Sequence, residues 1–134
     1  MIKVFFPGKF QPPHLGHVIT ISKLLKDYEV IIGITEDKPR VMTREQVLDI
    51  FETIFTTRLT CRLIDGKLTN YKNTDNLPMF DILVSGNDEV IDWGLKMGLP
   101  VKKVSRTEGV GFSGNELREL LKWGNKVSER SKKI

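Results

Sequence analysis

Two kinds of hydrophobic pattern alternate along the chain. Short, nearly continuous apolar runs occupy Ile2 to Phe6, Val30 to Ile34 and Ile82 to Val84, as expected of central strands covered on both faces. Leu59 to Ile64 instead alternates, with Leu59, Cys61 and Leu63 against Thr60, Arg62 and Ile64, which places a strand nearer an edge. Val101 to Val104, short and flanked by lysines, reads as a second edge strand. Between these runs the period becomes helical. Leu15, Val18, Ile19 and Leu25 form a core stripe for a helix from about Pro13 to Lys26, and Thr43 with Gln46 caps a second that turns Val47, Phe51, Ile54 and Phe55 inward. A third, Asp88 to Met97, stops at Gly98 with Pro100 beyond. A fourth opens on Ser113 and Glu116, carries Leu117, Leu120 and Leu121, and ends at Gly124.

Strands that alternate with helices predict an α/β fold with a parallel sheet. Residues 66–80 lack an apolar period but are long enough to carry the chain from the third strand to the far side of the first. The expected architecture is a single Rossmann-like, doubly wound parallel five-stranded sheet of order 3-2-1-4-5 over residues 1–125, followed by a basic tail at 126–134. Ligands of such sheets bind at the carboxyl ends of the strands that flank the topological switch point, here the first and fourth. Phe6 to His17, Ser85 to Asp88 and Arg106 to Ser113 are therefore expected around one cleft.

With 134 residues, 40% hydrophobic and 28% charged, the chain has room for one domain with a real core. Its net charge of +4 favours anionic partners such as phosphates. The basic residues are spread among acidic ones without interleaved aromatics, which argues against a nucleic-acid platform. No apolar run approaches the ~18 residues that span a bilayer, and the start lacks a signal-peptide core. The single cysteine, Cys61, precludes an internal disulfide, so the expected setting is reducing and cytoplasmic.

The most informative stretch follows the first strand: Pro7-Gly8-Lys9-Phe10-Gln11-Pro12-Pro13-His14-Leu15-Gly16-His17. A turn that feeds directly into a helix start presents N–H groups and the positive end of the helix dipole to anions. Gly16 between the two imidazoles lets a phosphate approach closely. His14 and His17, three residues apart, also have the spacing of a metal pair, but no acidic residue or cysteine nearby completes a ligand set, so no resident metal is expected. Trp93 and Glu116 are accounted for by helix packing and capping. Tyr71 and Asn73, by location alone, are candidates for contact with a second substrate.

His14-Leu15-Gly16-His17 matches the H-x-G-H motif, and through it the chain resembles the nucleotidyltransferase superfamily, whose members join a nucleoside triphosphate to a phosphate or hydroxyl acceptor and release pyrophosphate. A Ser-x-Thr-x-x-Arg-like segment that opens the last helix in that superfamily is approximated by Ser113-Gly114-Asn115-Glu116-Leu117-Arg118, with Asn115 in place of threonine. Gly8-Lys9-Phe10-Gln11-Pro12, Ser85-Gly86-Asn87 and Phe112-Ser113-Gly114 are similar to motifs of archaeal-type nicotinamide mononucleotide adenylyltransferases, which use ATP. Lys38-Pro39-Arg40-Val41-Met42-Thr43 and Arg106-Thr107-Glu108-Gly109 resemble segments of cytidylyltransferases, which use CTP and a phospho-alcohol. The chain also lacks the Trp-Val segment that stacks on nicotinamide.

The resemblance implies adenylyl transfer from ATP to a small phosphorylated acceptor, with CTP transfer or a non-catalytic nucleotide-binding module as alternatives. It makes Lys9, His14, His17 and Arg118 the candidate catalytic residues, with Lys38 adding positive field. Phe6, Gly8, Phe10, Gly16, Gly86, Asn87, Arg106 and Ser113 are the candidate nucleotide-binding residues. In this assignment His17 faces the α-phosphate, His14 the β, and Arg118 with Ser113 the outgoing pyrophosphate. Mg²⁺ arrives bridging the nucleotide's own phosphates. The families resembled form dimers or larger rings, which implies a homo-oligomer.

Overall fold

The structure, a computed structural model, describes residues 1–36, 41–56 and 58–104. Among these, strands β1 (Lys3–Gly8), β2 (Glu29–Ile34), β3 (Leu59–Leu63), β4 (Ile82–Ser85) and β5 (Val101–Lys103) form one all-parallel sheet of order β3-β2-β1-β4-β5. The helices are α1 (Leu15–Leu25), α2 (Arg44–Ile54) and α3 (Asp88–Lys96). The doubly wound sheet expected from the sequence is thus present in the expected order. The fourth helix expected at 113–124 and the basic tail at 126–134 lie outside the described residues.

Strand alternation sorts the core into two layers, because successive side chains of a strand point to opposite faces. Val4, Phe6, Val30, Ile32, Ile34 and Val84 pack with Ile21 and Leu24 of α1 and Val47 and Phe51 of α2. Phe5, Ile31 and Leu83 pack on the other face with Ile64, Leu68, Leu77 and Trp93. Parallel crossovers keep one hand, so connections that run outward from β1 to β3 cover one face, and those made after the chain returns to β4 cover the other. The cleft opens between these two layers, over the carboxyl ends of β1 and β4.

Three details differ from the sequence reading. β1 continues through Pro7 to Gly8. α1 begins at Leu15, with His14 rather than a residue of the first turn as its cap, and its inward row is Gly16, Thr20 and Leu24 flanked by Ile19 and Ile21. Leu15, Val18 and Leu25 are only half-buried. The stripe was misplaced because its two positions nearest the cleft, Gly16 and Thr20, carry no apolar side chain to count. The capping box of α2 is as expected: Thr43 Oγ1 accepts from the Gln46 N–H at 3.1 Å, and Gln46 Oε1 accepts from the Thr43 N–H at 2.8 Å.

The crossover at 66–80 is irregular apart from a single 3-10 turn at Leu68–Asn70. It is pinned by burial of Leu68 and Leu77 and by the Trp93 indole N–H, which donates to the Tyr71 carbonyl at 2.8 Å. Trp93 is buried in helix packing, as expected. Cys61 is half-buried in β3, where burial and the charge of Glu52 push its thiol up to about 11, so it is an unreactive packing residue.

Candidate active site

A cavity of about 560 Å³ lies at the switch point. The residues after β1 form its first wall. Phe10 adopts a left-handed backbone (φ 50°) and turns its ring down into the core, edge-on to Phe6, Phe51 and His17 at centroid separations of 5.8, 4.9 and 4.7 Å. Gly8 makes this possible, because a Cβ there would stand 3.0 Å from the Phe10 ring. Gln11 ties the loop to the segment ahead of α2: its Oε1 accepts from the Val41 and Met42 N–H groups at 2.8 and 3.0 Å, and its Nε2 donates to the Met42 carbonyl at 3.0 Å.

The two histidines cap the helix and each other. His14 Nδ1 accepts from the Gly16 N–H at 3.0 Å, and His17 Nδ1 accepts from the His14 N–H at 3.0 Å. Their rings stack with centroids 3.7 Å apart. A backbone N–H can only donate, so both Nδ1 atoms are unprotonated, and each neutral ring carries its hydrogen on Nε2. Burial, followed by the neighbouring His14, lowers the His17 pKa from 6.5 to about 4. At neutral pH His17 is therefore an uncharged donor with a fixed tautomer.

One expectation changes. The Gly16 N–H is taken by His14, and the His17 N–H donates to the His14 carbonyl at 3.0 Å, so these amides are not open to an anion. Side chains at this helix start therefore stand in for these two amides. The dipole still contributes, because α1 has no acidic residue in its first turn, whereas α3 carries Asp88 and Glu89 there. Lys9 lines the same wall and makes no ion pair among the described residues.

The second wall comes from β4, where Ser85 Oγ accepts from the Asn87 N–H at 3.0 Å and Asn87 Oδ1 caps the Glu89 N–H at 2.9 Å. The third is Lys67, Leu68 and Thr69 of the crossover, with Glu89 and Val90 of α3 beside it. The structure thus brings together Phe6, Gly8, Lys9, Phe10, His14, Gly16, His17, Gly86 and Asn87 around one cavity. Phe6 and Phe10 are 7% and 3% exposed, so they support the wall rather than offer a free ring face. Lys38, Arg106, Ser113 and Arg118 lie outside the described residues.

Sequence reasoning missed Thr20, Thr35 and Lys67 to Thr69, which also line the cavity. Tyr71 is not among the lining residues; its hydroxyl donates to the Asp65 carbonyl at 2.7 Å and so shapes the crossover from behind. Asn73 also lies away from the cavity, and its Oδ1 accepts from the Asp75 N–H. Among the described residues no cluster of three or more His, Cys, Asp or Glu could hold a metal ion.

Residues 5–105 match a family model described as cytidylyltransferase-like. The chain belongs to the cytidylyltransferase-like family. It is similar to the nicotinamide-nucleotide adenylyltransferase of Sulfurisphaera tokodaii, at 28% identity over 90% of this chain and 79% of that protein. The protein of the same name from Pyrobaculum arsenaticum is 26% identical over 93% of this chain and 79% of its own length. The one from Methanosarcina acetivorans is 26% identical over 94% and 80%. The superfamily resemblance carried by His14-Leu15-Gly16-His17 agrees with this membership, and the chain is a nucleotidyltransferase. Among the described residues no helix is long and apolar enough to cross a membrane.

Proposed function

We propose that this cytidylyltransferase-like chain transfers the adenylyl group of ATP to the phosphate of a small acceptor and releases pyrophosphate. The observation that carries the proposal is the reciprocally capped histidine pair, which leaves two neutral Nε2–H donors on one cavity wall at a helix start, beside the ammonium of Lys9, which makes no ion pair among the described residues. In the reaction an acceptor phosphate oxygen bonds to the α-phosphorus while the bond from that phosphorus to the α,β-bridging oxygen breaks. The acceptor is already ionised, so no base or covalent nucleophile is required. The protein has to align the two phosphates and stabilise the charge that builds on the bridging oxygen and the leaving group.

His17, the more deeply buried of the pair, is assigned to the α-phosphate, His14 to the β-phosphate, and Lys9 to the growing charge. Arg106, Ser113 and Arg118 are assigned to the nucleotide and the pyrophosphate end by resemblance. Mg²⁺ enters as part of the substrate, on the nucleotide phosphates. Because the similar proteins are named nicotinamide-nucleotide adenylyltransferases, nicotinamide mononucleotide is the first acceptor to test.

The decisive experiment measures pyrophosphate release for ATP, CTP, GTP and UTP with Mg²⁺, each paired with nicotinamide mononucleotide and with phosphorylated alcohols. ATP is expected to be preferred over CTP by at least ~tenfold, a difference of only about 1.4 kcal/mol. Preference for CTP with a phospho-alcohol would replace adenylyl by cytidylyl transfer. Nucleotide binding without release from any pair would refute turnover.

A further inference from the structure

Arg44 occupies the first position of α2, directly after the Thr43 cap. A cation there opposes the positive end of the helix dipole, so its placement needs another cause. Its side chain is 16% exposed and spans the carboxyl ends of two strands. Nη1 donates to the Ile64 carbonyl at 3.0 Å and reaches Asp65 Oδ1 at 3.3 Å, while Nη2 lies 2.5 Å from Glu36 Oε1. The other oxygen of Glu36 accepts from the Gly66 N–H at 3.1 Å, and the Glu36 N–H donates to the Gly66 carbonyl at 3.1 Å. Gly66 sits at φ 71°, a conformation that glycine adopts at low cost. The turn entering the crossover is thus held from its front by a carboxylate that Arg44 holds in turn.

The next three residues, Lys67, Leu68 and Thr69, are the crossover wall of the cavity. Their far end is fixed through Tyr71, whose carbonyl takes the Trp93 indole N–H and whose hydroxyl reaches back to Asp65. The segment ahead of Arg44 grips the opposite wall, because Val41 and Met42 hold the Gln11 side chain of the histidine loop. Residues 41–44 therefore connect both sides of the cavity. Lys67 is paired with Glu89 only at 3.7 Å, with both side chains more than half exposed. Such a contact contributes little, so the Lys67 ammonium remains available to an incoming phosphate.

We propose that Arg44 is a positioning residue that, through Glu36 and Gly66, sets the Lys67–Thr69 wall at the distance from the histidine loop that the phosphorylated acceptor requires. The kinetic part of this inference rests on the adenylyl-transfer reading; the brace itself does not. Lysine cannot replace Arg44, because a single ammonium lacks the planar fork that reaches Glu36 and the Ile64 carbonyl together. Asp65 is a bystander in this scheme, since its side chain is 91% exposed.

The test compares the wild-type chain with Arg44→Met, Arg44→Lys and Asp65→Asn. Steady-state pyrophosphate release with ATP and nicotinamide mononucleotide is measured alongside amide hydrogen exchange. Both Arg44 variants are expected to raise KM for the acceptor by ~tenfold or more while KM for ATP stays within about twofold, because the perturbed wall is not the one assigned to the nucleotide phosphates. The Gly66, Asn70 and Tyr71 amides, which donate to Glu36 Oε2 and to the Lys67 and Leu68 carbonyls, should exchange at least ~tenfold faster and those of Gly16 to Val18 at the wild-type rate. Asp65→Asn should match wild type in every readout. Equal rises in both KM values, unchanged exchange at Gly66, Asn70 and Tyr71, or full rescue by Arg44→Lys would overturn the proposal. If the wild-type chain turns over no acceptor, the adenylyl-transfer reading fails, and exchange together with calorimetric ATP affinity decides the brace. Faster exchange at Gly66, Asn70 and Tyr71 with unchanged ATP affinity then sustains it, and any other result refutes it.

Discussion

Phe10 links the core to the chemistry, and replacing it should disturb both by separable amounts. The ring is 3% exposed and packs edge-on against three other rings. Truncating a buried phenylalanine to alanine costs about 3–5 kcal/mol, a large share of the about 5–15 kcal/mol that holds a small domain folded. The backbone adds a second, independent quantity. Phe10 sits at φ 50°, where an L residue bears about 1–2 kcal/mol of strain that alanine retains and glycine escapes. Glycine loses one further buried methyl group, about 0.8 kcal/mol, and has a freer unfolded chain to order. These contributions offset, so Phe10→Gly should match Phe10→Ala within about 1 kcal/mol, whereas at an ordinary buried site the glycine variant falls clearly below the alanine one.

Urea unfolding followed by circular dichroism measures both differences. A loss below about 1 kcal/mol for Phe10→Ala would refute the packing argument, and a glycine variant more than about 1 kcal/mol below the alanine variant would refute the strain. The same substitution should also act on His17. Burial is the first cause that lowers this imidazole to about 4, and the Phe10 ring is part of what buries it. With only two histidines in the sequence, NMR titration reads each directly. The His17 midpoint should move up toward 6.5 in Phe10→Ala; a midpoint that stays near 4 would mean that other groups exclude the solvent.

His17→Ala should lower turnover by ~10²- to 10³-fold, because it removes a donor aimed at transition-state charge, and should cost about 1 kcal/mol of stability through loss of the cap on the His14 N–H. Turnover at the wild-type level would sink the assignment. His14→Ala should show its larger effect on nucleotide affinity, read by titration calorimetry. His17 titrates near 6.5 in the unfolded chain and at about 4 in the folded one, so between these values the unfolded chain binds the extra proton. Folding stability should then be fully present above about pH 6.5 and decline as the pH falls toward 4, a loss that His17→Ala should abolish in urea titrations across that range. EDTA should stop turnover and Mg²⁺ restore it; stoichiometric zinc that depends on His14 and His17 in elemental analysis would overturn the phosphate assignment.

The sheet was legible because its information is carried by runs of residues. Val30 to Ile34, interrupted only by Gly33, and Ile82 to Val84 are apolar runs of strand length, as expected of strands covered on both faces, and a crossover too long for a hairpin let β4 lie on the far side of β1. The inward row of α1 was less legible. Gly16 and Thr20 face inward for reasons of space and polarity at the cleft, and hydrophobic periodicity cannot register a position whose purpose is to leave room.

At the site the same division holds. His14, Gly16 and His17 were identifiable because two imidazoles around a glycine at a strand-to-helix turn are local in sequence and match the H-x-G-H motif; that the imidazole nitrogens take the helix's own amides, instead of leaving them to an anion, was not legible. Lys67 to Thr69 were not, because their place at the cavity depends on partners distant in sequence: Glu36 and Arg44, 20 to 30 residues before the turn, and Trp93, whose indole N–H holds the Tyr71 carbonyl beyond it. Nothing in the residue types Lys, Leu and Thr distinguishes a cavity wall from an ordinary surface segment. The histidine wall is therefore encoded within a dozen consecutive residues, while the opposing wall depends on the completed fold. A substitution far from the histidines, at the end of β2 or the start of α2, can accordingly change what the cavity accepts without touching the groups assigned to the phosphates.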